Sequence, residues 1–63
     1  MEWNGRTIRR LRERLDMDRR QLARVLGNTQ QDVRAMEQPN YRPMKSVAEA
    51  LNRLHERALR QGV

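Results

Sequence analysis

The sequence predicts an all-α fold: a compact domain of four helices, five at most, with a helix-turn-helix unit inside it. Three observations carry this. Apolar residues recur at three- and four-residue steps through most of the chain, the period that lines one face of a helix. Cap-forming residues precede these runs. No segment has the two-residue alternation of a half-buried strand. The 63 residues suffice for a single domain spanning 1–63, which buries about 60% of the surface its unfolded form exposes. Phe is absent and Trp3 and Tyr41 are the only aromatics, so the core must be aliphatic.

Ile8, Leu11 and Leu15 define the inward face of a first helix from about Gly5 to Leu15. Asn4 is its N-cap, and Trp3 with Ile8 has the spacing of a hydrophobic staple that folds the indole onto the first turn. The stretch LDMD interrupts the period. Asp18 and Gln21 then form a capping box for a second helix, with Met17 and Leu22 as its staple. That helix carries Leu22, Ala23, Val25 and Leu26 and stops at Gly27, because a left-handed terminal residue is cheapest as glycine. Asn28 alone separates Gly27 from Thr29, the N-cap of a third helix whose Asp32 accepts from the freed amides. Val33 and Met36 face inward, and QPNYRP ends the helix with two prolines. The last helix covers about 44–61, starting at Pro43 or, through a capping box of Ser46 and Glu49, a turn later. Its stripe is Val47, Ala50, Leu51, Leu54 and Ala58, and Gly62 is its expected stop.

The second and third helices make a testable pair. Two short helices joined by a tight turn containing glycine form the helix-turn-helix unit, here 19–38. With Arg19 as its first position, the fifth is Ala23, where two crossing helices leave room for a small side chain only. The ninth is Gly27, where the chain bends and a positive φ is required. Leu22, Leu26, Val33 and Met36 fall at the fourth, eighth, fifteenth and eighteenth positions and face one another. A plain helical hairpin would match the apolar four, but seldom the Ala and Gly as well.

Charge points to the partner. Fourteen Lys and Arg against eight Asp and Glu give a net charge of +6, which favours a polyanion, either nucleic acid or an anionic membrane face. Residues 1–26 hold eight arginines and residues 39–63 hold five basic groups, whereas Thr29 to Gln38 sets Arg34 against Asp32 and Glu37. A slightly acidic island thus lies between basic flanks. At its start stand the neutral Gln30 and Gln31, on the first turn of the third helix. In a helix-turn-helix unit that turn meets base edges in the major groove. A Gln amide donates to and accepts from adenine at once, a contact worth about 1–3 kcal/mol of discrimination. On an isolated helix the same glutamines would read as solvated surface. Arg34, toward phosphate or guanine, and Ala35, toward a thymine methyl, follow on the same side, with idle surface as the alternative for both.

Phosphate contacts are expected from open helix ends and basic flanks. The candidates are Arg19 and Arg20 before the second helix's core, Thr29 at the cap of the third, and Asn40, Tyr41 and Arg42 in the loop after it. Lys45 and Ser46 open the fourth. Tyr41 has a second reading, as a lid over the core. Arg6, Arg9, Arg10 and Arg14 read as a solvated outer face. Arg12 sits at the edge of the buried stripe, where an unpaired guanidinium is costly, so Glu37 is predicted to pair with it.

These residues resemble the Cro and lambdoid phage repressor class of helix-turn-helix proteins over roughly Ile8 to Leu54. IRRLRERLDMDRRQLARVLG is similar to a basic first helix leading into a capped second helix, and TQQDVRAME to recognition helices that begin Thr-Gln-Gln. The resemblance implies that both glutamines read bases and that Arg12 pairs with Glu37. It further implies a sequence-specific regulator of transcription, a repressor that occludes a promoter on double-stranded DNA. Arg19 stands where the class often has Gln, Ala35 where related helices place a third polar reader, and QPN where a Gly is usual. A homodimer on a palindromic operator is expected, through Leu51, Leu54, His55, Ala58 and Leu59 of the last helix.

Other classes fit less well. Ser46 and His55 are the only Ser and His, Cys is absent, and no Gly-rich phosphate loop occurs, so neither an enzyme nor a metal or cofactor site is expected. No small-molecule ligand is suggested. A membrane-surface helix lacks its broad apolar face, no signal-peptide core is present, and the absence of Cys fits a reducing compartment. The expected place is the cytoplasm of a bacterial or phage-infected cell, on the nucleoid through DNA. Two binding-module readings keep the fold and the DNA: an antitoxin that also binds a protein partner, and a phage excision or architectural factor.

Overall fold

The computed structural model describes residues 2–61 and contains four helices there: α1 (Gly5–Arg14), α2 (Arg19–Leu26), α3 (Gln30–Met36) and α4 (Lys45–Arg60). Three start on reciprocal capping boxes. The Asn4 side chain accepts from the Arg6 and Thr7 amides while Thr7 Oγ1 accepts from the Asn4 amide, a closure that the Thr at the third position makes possible. Asp18 with Gln21 and Thr29 with Asp32 close α2 and α3 in the same way, each with bonds of 2.8–3.1 Å. The Asp32 carboxyl is held below its ordinary pKa by the Thr29 backbone amide, helped by the Thr29 hydroxyl.

The ends of α1 and α2 share one chemistry. At α2, Gly27 (φ +74°) lets its amide reach the Arg24 carbonyl and the Asn28 amide reach the Ala23 carbonyl at 2.8 Å, closing a Schellman motif. At α1 the same two bonds run from Asp16 to Glu13 and from Met17 to Arg12, with Asp16 itself left-handed at φ +57°. That non-glycine bend is what interrupts the helical period at LDMD.

The expected box of Ser46 and Glu49 does not form. The backbone runs extended through Met44 and turns straight into α4, so Ser46 is already the second helical residue, and Met44 caps with no side-chain bond. No fifth helix occurs among the described residues, α4 being continuous to Arg60. Gly62, the expected stop, lies outside the described residues.

Ile8, Leu22, Val33 and Leu51 are fully covered, one from each helix, and Leu11, Ala23, Met36, Leu54 and Ala58 complete the core with Trp3. Each fully buried aliphatic side chain contributes about 1.5–3 kcal/mol. The Cα radius of gyration of 10.5 Å equals the roughly 11 Å of a compact chain this long, so the helices close on one core rather than forming an open hairpin. Trp3 does more than cover its own first turn. Its Nε1 donates to Asn52 Oδ1 at 2.7 Å and its ring meets His55 edge-on at 5.9 Å, so the N-terminal segment is tied to α4.

Of the apolar residues that α2 carries, Val25 is 51% exposed, because the inward face is taken by Leu22, Ala23 and Leu26. One expectation is corrected by this core. Leu51, Leu54 and Ala58, expected at a dimer face, are buried within the chain, where α4 packs on α1 and α2, and His55 is half-buried against Trp3. Of that set only Leu59 remains outward, at 56% exposure.

Candidate nucleic-acid interface

The site is assembled by the junction of α2 and α3. Ala23 is 3% exposed, small enough to let the helices approach, and a Cβ at Gly27 would meet nothing within 4 Å. Gly27 is therefore required for its backbone angle and not for space. With Val33 and Met36 buried against Leu22 and Ala23, the opposite face of α3 is turned out, and Gln30, Gln31, Arg34 and Ala35 are all exposed. Gln30, Gln31 and Arg34 line one shallow concavity with Arg19 of α2. Two neutral amides and two guanidinium groups thus share one concavity.

Arg19 has a second attachment that the sequence reading missed. Its Nε donates to Glu37 Oε1 at 3.2 Å, although 39% of the side chain stays exposed. Glu37 is the hub. Its side chain is 3% exposed and accepts from Arg12 Nε at 2.5 Å and Nη2 at 3.2 Å, as predicted from the edge position of Arg12. Arg12 also donates from Nη1 to the Met17 carbonyl at 3.0 Å, which holds the linker between α1 and α2. Burial acts to raise the Glu37 pKa, but the hydrogen bonds from Arg12 and Arg19 outweigh it and the carboxyl lies below its ordinary range. The same bond pushes the Arg12 guanidinium higher still, against the effect of its own burial. One carboxylate therefore joins α1, the α1–α2 linker, the first residue of α2 and the end of α3. Arg19 carries that junction to the rim of the concavity.

The expected phosphate group is more dispersed. Arg20, Asn40 and Lys45 are exposed. Thr29 is exposed, with its hydroxyl accepting from the Asp32 amide and turned toward the Asp32 carboxylate. Arg42 is exposed and pairs with Glu2 at 2.5 Å, both side chains more than 70% exposed, a contact worth little in water. Ser46 is exposed on a different concavity, with Leu26, Asn28 and Val47. Tyr41 is half-buried against the core, its lid reading, and its amide closes a turn onto the Gln38 carbonyl at 3.0 Å. Ala35 is outward but does not line the concavity of the glutamines.

Gly5 also escaped the sequence reading. A Cβ there would stand 1.9 Å from the Gln38 carbonyl oxygen, so the loop that follows α3 presses directly on the first turn of α1. Asn52 is a third omission, which the need of a buried indole N–H for an acceptor would have signalled. No family model, curated protein or solved structure matches this chain. Among the described residues no helix is long and apolar enough to cross a membrane.

Proposed function

We propose that this chain is a sequence-specific double-stranded DNA-binding regulator of transcription, a Cro-like repressor that acts by occluding a promoter in the bacterial or phage-infected cytoplasm. The carrying observation is the concavity that the exposed Gln30 and Gln31 share with Arg19 and Arg34. Neutral amides suit base edges and guanidinium groups suit phosphate or guanine, so reading and holding fall to adjacent residues. The resemblance of TQQDVRAME to Thr-Gln-Gln recognition helices supports the same assignment.

Two copies on a palindromic operator, with half-sites about 10 bp apart, would double the few base contacts that one copy makes. With Leu51, Leu54 and Ala58 spent in the core, pairing rests on the DNA and on whatever small contact Leu59 adds. Selection of bound duplexes from a random pool tests both points. Enrichment of a palindrome with adenines facing the glutamines is expected, and Gln30→Ala and Gln31→Ala should relax the preference at those positions. Enrichment unchanged by either substitution would remove the glutamines from the reading role.

A further inference from the structure

We propose that the groove between the C-terminal end of α2 and the length of α4 docks an acidic amphipathic helix of another protein. Its floor is apolar: Val25 and Leu26 from α2, Val47 and Ala50 from α4. Val25 is one of three large hydrophobic residues left exposed among the described residues. One wall is a ladder of Arg53, Arg57 and Arg60, which the helical repeat places on one face.

Among the described residues no carboxylate lines this groove. The ion pairs among the described residues join Arg9 to Glu13, Arg12 and Arg19 to Glu37, and Arg42 to Glu2, so none of them includes an arginine of the ladder. Glu49 and Glu56, four residues before Arg53 and Arg60, line neither concavity, Arg53 and Arg57 repel across one turn of the helix, and an exposed valine beside them gains nothing in the free chain. Both features become favourable together when a surface with carboxylates beside an apolar ridge covers the groove.

The shape selects a helix. Two adjoining concavities that share Leu26 and Ala50 follow α4 from Ser46 to Arg60, roughly 21 Å at 1.5 Å per residue, the length of four helical turns. An incoming helix would set its apolar anchors on Val25 and Ala50 and its Glu or Asp residues against the ladder, the helix-in-groove mode. A second copy is disfavoured, because a two-fold contact through this face would oppose three arginines to three arginines. Nucleic acid would engage the ladder but has no use for the apolar floor. The groove shares no lining residue with the concavity of Arg19, Gln30, Gln31 and Arg34, and of the phosphate candidates only Ser46 lines it, at the end away from Arg60.

The test is a titration of the full chain with a synthetic amphipathic peptide of about 16 residues, leucines on one face and glutamates beside them, followed by heteronuclear NMR. Amide shifts centred on Val25, Leu26, Ala50 and Arg57 are expected. Arg53→Glu combined with Arg57→Glu should weaken binding by about tenfold or more, and a peptide with lysines in place of glutamates should recover it. Val25→Asp, at an exposed position, should give a comparable loss with the helical dichroism intact. The proposal is overturned if a scrambled peptide of the same composition binds as tightly, or if the shifts centre on another face. It is equally overturned if a non-operator duplex binds these residues more tightly than the peptide. Operator binding is read at Gln30 and Gln31, whose alanine variants leave the peptide titration unchanged, so the two readings fail separately.

Discussion

Replacing a helical glycine by alanine ordinarily stabilises a protein by about 1 kcal/mol, but at Gly5 the new Cβ would stand 1.9 Å from the Gln38 carbonyl oxygen and 2.6 Å from the Glu37 carbonyl carbon. Those atoms are backbone and cannot swing aside. Gly5→Ala is therefore expected to lower stability by about 1–3 kcal/mol, measured by urea unfolding, and a raised midpoint would mean that the loop withdraws freely. Asp16 has the opposite sign. At φ +57° it pays a left-handed strain that glycine does not, and its carboxylate sits at the negative end of α1. Asp16→Gly should raise stability by up to about 1 kcal/mol, the relief being partly offset by a looser unfolded chain. Gly27 was legible because the neighbouring Asn28 and Thr29 announce a turn and a cap. Gly5 was not, since its requirement comes from a backbone distant in sequence. Asp16 was not, since aspartate is tolerated in the left-handed region without being diagnostic of it.

Between elements, the Glu37 carboxylate is the joint on which the orientation of α3 depends. Arg12 was legible as its partner because a guanidinium at the edge of an apolar stripe demands a charge, whereas Arg19, at an exposed first helical turn, carried no such demand. The apolar stripe of α4 was legible as a period but not in its allocation. Periodicity says that Leu51, Leu54 and Ala58 share a face, and only packing decides whether that face meets the core or a second chain. Because the folded Glu37 pKa lies below its ordinary 4.5, its contribution to stability is complete above that pH and is lost as pH falls through the folded value. Glu37→Gln is expected to lose about 2–3 kcal/mol at neutral pH. This is less than the ~3–5 kcal/mol of a fully buried broken pair, because Arg19 still reaches water. Thermal unfolding should then show the parent converging on the variant below pH 4.5. Parallel curves across that window would place the carboxylate outside the stability linkage. Asp32, also depressed but on the surface, titrates alike in both chains and cancels in the comparison.

For the whole molecule the question is how attraction and reading divide over one small surface. With a net charge of +6, a large part of any affinity for DNA is non-specific and salt-dependent, and the slope of log affinity against log salt counts the phosphates held, about −0.9 for each. Four to six contacts from Arg20, Thr29, Asn40, Arg42, Lys45 and Ser46 would give a slope near −4 to −5 per copy. Arg42→Ala should reduce the slope by about 0.9 while leaving the order of preferred sequences intact. Breaking the exposed pair from the other side, Glu2→Gln should strengthen binding slightly, because Arg42 then has no competing carboxylate. Gln30→Ala and Gln31→Ala should behave in the reverse manner: an unchanged slope with discrimination reduced by about 1–3 kcal/mol at the facing base pairs. Arg19 stands between the two groups. It borders the glutamine concavity and is bonded to Glu37, so Arg19→Ala should change the slope and also loosen α3. Filter binding of the parent and these variants over a salt series separates the outcomes. A glutamine variant that alters the slope as Arg42→Ala does would mean that both amides hold phosphate, and reading would then have to come from Arg34 or Ala35.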